Sequence, residues 1–203
     1  MEYRKLTNEE ISGLENQGCT SNKWTSIEVN ELFDIKNIYH VEFIGSCRIG
    51  YVNKIQIKSN DKEFQGGLYN SVIHNCTIED GVLIRNVHLL SNYYIESDVI
   101  IENVSELAVE EESTFGNGVE IDVLNEGGGR ELLLFDRLSS QLAYLMVVYR
   151  HDTALIQALR EAIEKYCKEK KSVSGRIGSG SRISNCNTIQ NVFIGFDVTI
   201  KGA

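Results

Sequence analysis

Four histidines, five cysteines and one glycine-rich polar stretch are the residues here with chemistry to offer. A histidine acting as general base must lie within hydrogen-bond reach of the group it deprotonates. His74 follows Ile73, which reads as an inward aliphatic, so its ring is expected outward or at a corner, open to a groove. His88 falls four positions after Ile84 in what reads as a small inward slot, and is expected in the core. The second candidate is Leu124-Asn125-Glu126-Gly127-Gly128-Gly129-Arg130-Glu131. Three glycines let backbone approach a ligand closely, a helix starting just beyond would favour an anion, and Arg130 offers a planar fork for phosphate or carboxylate. Asn125, Glu126 and Arg130 are therefore candidate substrate-binding residues, and His74 is the candidate catalytic base. The same glycines also read as a hinge. No GxxxxGK[ST] motif accompanies them, so this is not a P-loop.

The cysteines (Cys19, Cys47, Cys76, Cys167 and Cys186) are odd in number, widely spread and free of any CxxC pair. They suit neither a disulfide framework nor a structural zinc site. Cys76 and Cys186 follow Asn75 and Asn185 in similar frames, as small residues packed in equivalent turns would. Catalytic zinc held by three histidines is not expected from the wide spacing of His40, His74 and His88. Over 203 residues the chain is 42% hydrophobic and 24% charged, an ordinary globular composition. No run nears the roughly 20 apolar residues of a membrane span, and MEYRKLTNEE carries no secretory core. A cytoplasmic protein without a membrane partner is the expectation. A net charge of −9 argues against a general nucleic-acid binder.

The elements that would position these groups show in the aliphatic rhythm. Ile78 and Ile84, then Ile95, Ile101 and Leu107, return every six positions; Ile177, Ile183 and Ile189 resume the step, followed by Ile194 and Ile200. That period predicts a hexapeptide parallel β-helix, with three short strands per coil. The expected organisation is an N-terminal cap over 1–34, a first β-helix block over 35–130, a helical hairpin over 131–172 and a resumed β-helix over 173–203. In the cap, Thr7 and Glu10 are spaced for a capping box, and Gly18 is a stop signal. In the hairpin, Leu134, Leu138, Leu142, Leu145, Met146 and Tyr149, then Leu155, Leu159, Ile163 and Tyr166, follow helical spacing. Asp152 is the expected N-cap of the second helix. Lys165, Lys168, Lys170 and Lys171 crowd its end, either complementing the helix dipole or forming an anion or partner site. Residues 53–67 lack the pattern and read as an extruded loop. The chain stops in mid-repeat, which reads as truncation or as an edge for a partner.

The repeats resemble the left-handed parallel β-helix, or hexapeptide-repeat, superfamily. The six-residue rhythm carries this, with the slip Ile189-Gln190-Asn191-Val192-Phe193-Ile194-Gly195, which is similar to the asparagine-bearing corner of nucleotidyltransferase β-helices. That superfamily includes sugar-nucleotide acyltransferases, C-terminal domains of sugar-1-phosphate nucleotidyltransferases and γ-class carbonic anhydrases. More narrowly, in Ile73-His74-Asn75-Cys76-Thr77-Ile78, Ser113-Thr114-Phe115-Gly116-Asn117-Gly118-Val119-Glu120, Asn125-Glu126-Gly127-Gly128-Gly129-Arg130-Glu131 and Gly175-Arg176-Ile177-Gly178, the chain resembles the N-terminal part of an uncharacterised bacterial β-helix family with an inserted helical hairpin. The resemblance implies a homo-oligomer, as a trimer, with His74 as base on a sugar hydroxyl or amine in an intersubunit groove. It implies a sugar or nucleotide-sugar ligand and acyl-CoA as donor, in an acyl- or nucleotidyl-transferase-like protein. The alternative is a non-catalytic oligomerisation module. Under the first reading Leu138, Leu142, Leu145 and Tyr149 are buried in their own fold; under the second, part of that stripe is exposed in the monomer.

Overall fold

The computed structural model describes residues 2–54, 56–59, 62–122 and 127–202. The chain divides into two compact units, one of residues 1–110 with 174–203 and one of residues 111–173.

The first unit is built on two sheets. One is seven-stranded and wholly parallel, in the order Thr199–Lys201, Arg182–Gln190, Ile100–Ala108, Leu83–Ser91, Gly67–His74, Ile38–Ile44, Thr20–Ser21. The other is six-stranded: Tyr3–Lys5, Ile27–Asn30, Cys47–Ile49, Thr77–Ile78, Tyr93–Ile95 and Gly175–Ile177. Its Tyr3–Lys5 edge runs antiparallel to the rest. Ile84 pairs with Ile101, and Ile101 with Ile183. Ile78, Ile84, Ile95 and Ile101 are fully buried, as their spacing predicts.

The expected left-handed parallel β-helix of three short strands per coil is corrected here. The described strands form two multi-stranded sheets and two antiparallel pairs, with three α-helices, and close into no β-helix solenoid. Strands of eight and nine residues replace three short ones, because an asparagine inside each takes positive φ: Asn70 at 46°, Asn86 at 55°, Asn103 at 54° and Asn185 at 54°. Asparagine enters this left-handed region more readily than other residues bearing a Cβ. One such residue resets which side chains face inward. Ile84, Val87 and Leu90 are buried, as are Ile101, Val104 and Leu107, in steps of three rather than six. His88, expected inside, is exposed for the same reason. Side-chain amides then bond from strand to strand. Asn70 Nδ2 donates to Asn86 Oδ1 at 3.1 Å, Asn86 Nδ2 to Asn103 Oδ1 at 3.0 Å, and Asn103 Nδ2 to Asn185 Oδ1 at 3.0 Å.

At the N-terminus α1 (Asn8–Asn16) starts on the expected capping box, with Thr7 Oγ1 accepting from Glu10 N and the Glu10 carboxylate from Thr7 N. Arg4 makes two further bonds to Glu10, at 2.7 and 2.8 Å. Chiefly through Arg4, the Glu10 carboxyl is held down at about 2. A depressed carboxyl stabilises the fold above its ordinary value and loses that contribution as pH falls through the folded one. Glu10→Gln is therefore expected to lower the urea midpoint at neutral pH, with the gap to the parent closing between pH 4.5 and about 2. A gap independent of pH would refute the assignment.

In the second unit Val119–Ile121 pairs antiparallel with Leu132–Leu134, followed by α2 (Ser140–Val148) and α3 (Thr153–Glu169). Leu132, Leu133, Met146, Ile163 and Cys167 form its core. The first helix starts later than its leucine spacing suggests, since Leu132–Leu134 is spent on a strand and Ser139 Oγ caps Leu142 N. Asp152 caps α3 as expected, accepting from Leu155 N at 3.0 Å. Part of the expected loop at 53–67 is an antiparallel pair, Gln56–Ser59 with Lys62–Gln65.

Candidate functional site

His74 ends the Gly67–His74 strand half-buried, with both ring nitrogens engaged. Ser46 N donates to Asn75 Oδ1 at 3.0 Å, which turns Asn75 Nδ2 toward His74 Nε2, 3.0 Å away. An amide nitrogen only donates, so Nε2 accepts, and a neutral ring must carry its proton on Nδ1. That proton goes to Ser91 Oγ at 2.9 Å, on a buried serine one strand over. Gly45 leaves the space this chain needs: a Cβ there would stand 2.1 Å from Asn75 Oδ1. The arrangement ties two turns and a strand together and uses the Nε2 lone pair that a base would need. Sequence reasoning missed Ser91, whose only signal is its place in the next strand, and gave Asn75 no role at the site.

Asn125 and Glu126 lie outside the described residues. Arg130 is exposed, beside a turn in which Gly129 N donates to Glu131 Oε1 at 2.9 Å. The stretch leads into the Leu132–Leu134 strand, so the expected helix N-terminus is not there. His74 belongs to the first unit and Arg130 to the second.

All five cysteines are free and buried. Burial pushes the Cys76 thiol up to about 12 and raises Cys47, which leaves few thiolates at neutral pH. Cys76 and Cys186 both follow a left-handed asparagine, but they do not occupy equivalent turns. Cys76 precedes the Thr77–Ile78 strand, its carbonyl accepting from Arg48 N at 2.9 Å, whereas Cys186 lies within the Arg182–Gln190 strand and pairs with Val104. Among the described residues no group of three or more His, Cys, Asp or Glu could hold a metal ion, and no helix is long and apolar enough to cross a membrane.

Two features of the second unit stand apart from these candidates. Along α2, Tyr144 is 68% exposed, Leu145 36%, Val148 43% and, just past its end, Tyr149 48%. On α3, the Tyr166 ring lies 5.1 Å from the Arg137 guanidinium and 5.0 Å from the Lys170 ammonium. Lys171 of the expected cluster pairs with Glu112 at 3.3 Å.

The family model that matches is described as a domain of unknown function, DUF4954, and covers residues 3–203. It is not a model of the hexapeptide-repeat transferases, so the resemblance to that superfamily, and the transferase-like character drawn from it, are overturned. The chain is similar to an uncharacterized protein of Treponema pallidum (strain Nichols), 27% identical over 212 residues, covering 99% of this chain and 29% of that protein. The chain thus spans less than a third of the length of the curated relative it matches. No solved structure matches it. With nearly every residue inside the matched span, the chain belongs to the DUF4954 family.

Proposed function

We propose that this chain is a non-catalytic assembly module, in which a second copy covers the exposed face of α2. The observation that carries this is the apolar stripe of Tyr144, Leu145, Val148 and Tyr149, open to solvent on a helix without a charged residue. Helices apolar on more than one side are normally covered on each. In a chain of net charge −9, two copies repel wherever their surfaces carry that charge. A charge-free patch is where contact costs least, and a two-fold axis lets the same patch serve both copies. The chemistry-bearing groups support the same reading: His74 is held at both nitrogens, and the thiols are buried. Five unpaired cysteines fit a reducing compartment, and the cytoplasm is the proposed location.

Sedimentation equilibrium of the purified chain tests this. The parent is expected to run as an oligomer at tens of micromolar, and a Tyr144→Ser, Val148→Asp double variant as a folded monomer. A monomeric parent, or a variant of unchanged mass, overturns the proposal.

A further inference from the structure

Lys170 belongs to the lysine cluster at the end of α3, and the structure places it in an arrangement that assembly does not use. Tyr166 lies in the last turn of α3 and Lys170, its C-cap, follows four residues on, toward the same face. The Tyr166 ring carries the Arg137 guanidinium and the Lys170 ammonium at nearly equal distances, 5.1 and 5.0 Å from its centre. Phe135 meets the ring edge-on at 5.9 Å. The turn bearing Asp136 and Arg137 is fixed from below: Asp136 N donates to Oδ1 of buried Asn117 at 2.8 Å, and Asn117 Nδ2 donates to Thr114 O at 2.7 Å.

The neighbouring Asp136 carboxylate is already engaged. Asp136 Oδ1 accepts from Tyr166 Oη at 2.6 Å, and its other oxygen lies 3.4 Å from Lys170 Nζ. The Tyr166 hydroxyl, with Lys170 and Arg137, holds the Asp136 carboxyl below its ordinary value, so it stays ionised. Arg137 forms no ion pair among the described residues. Its guanidinium lies over the Tyr166 ring, near enough to Asp136 to help lower that carboxyl, and makes no hydrogen bond to a carboxylate among the described residues. A guanidinium held on a ring can give two parallel bonds to a phosphate. Two cations against one committed carboxylate leave a local positive excess on an acidic chain.

We infer that Arg137 and Lys170, held on Tyr166, form a binding site for the dianion of a phosphate monoester. The oxygens of the phosphate take the guanidinium edge, and the ammonium balances the second charge.

The test is a titration of the whole chain at pH 7.5 with inorganic phosphate, read at arginine side-chain N–H resonances. O-phosphoserine and a hexose phosphate, in parallel arms, distinguish an amino-acid from a sugar source. Saturable shifts at Arg137 are expected. Affinity is expected to fall at least about tenfold in Arg137→Gln and in Lys170→Gln, with Arg137→Lys intermediate because it lacks the fork. Tyr166→Leu, which keeps both cations but removes their platform, should also weaken binding. A phosphate monoester loses its second charge near pH 6, so the affinity of O-phosphoserine and of the hexose phosphate should drop from pH 7.5 to 5 while that of sulfate does not. A linear response, or equal affinity in the folded Arg137→Gln variant, overturns the site.

Discussion

Gly175→Ala is expected to destabilise the first unit by about 1–3 kcal/mol, the usual cost of overfilling a packed interior. A Cβ at Gly175 would lie 2.4 Å from Cε1 of Tyr93, whose ring is almost wholly buried. The ring cannot step aside, because its hydroxyl donates to Val192 O at 2.8 Å. Burial of that phenol is the main reason its ionisation is pushed up to about 12. Tyr93→Phe removes the donor and leaves a carbonyl without its partner, for about 1 kcal/mol. The double variant decides whether one contact is responsible: with Tyr93→Leu in place, adding Gly175→Ala should cost much less than it does alone. Urea midpoints of the four proteins give this coupling directly, and additive effects would show that Gly175 matters for some other reason.

Asn103→Ala is expected to cost about 2 kcal/mol, from two sources that can be separated. Holding a residue with a Cβ in the left-handed region costs about 1 kcal/mol, and the Asn103 backbone sits at φ 54°. Losing the amide bonds to Asn86 and Asn185 adds several tenths each, since both are exposed. Asn103→Gly restores the backbone term alone and should fall between the parent and alanine. Asn103→Asp faces the Asn185 amide oxygen with a carboxylate and should be worst near neutrality, recovering in acid. Alanine and glycine variants of equal stability would remove backbone conformation from the explanation.

What the sequence made legible is what local pattern alone decides. The Thr7–Glu10 box and the Asp152 cap each depend on residues three apart, and both form. Ile78, Ile84, Ile95, Ile101, Ile177, Ile183 and Ile194 of the rhythm are buried, because aliphatic burial survives an error in geometry, whereas Ile189 and Ile200 are only partly covered. The errors share one physical cause. Nothing in the residue types around Asn86 or Asn103 announces a left-handed residue inside a strand, so the inward set was placed one position off and His88 was put in the core. The first helix was misjudged because Leu132 and Leu133 suit helix or strand equally, and their partner strand at Val119–Ile121 settles the choice. At the candidate site His74 is expected outward or at a corner, and the structure places it half-buried at a strand end. Its hold by Asn75 and Ser91 was not legible, since that depends on which strand lies beside it.

The asparagine ladder steps 17 residues from Asn86 to Asn103 and then 82 to Asn185. Bringing the ends of the longer span together costs about 1.4 kcal/mol more in chain entropy than the shorter, if the intervening residues are slack. Leu132, Met146, Ile163 and Cys167 give that span its own interior, so it can collapse first and deliver both ends on a shortened tether. In refolding the helices are therefore expected to form before the Arg182–Gln190 strand docks, and pulse-labelled amide exchange that protects this strand first would refute that order.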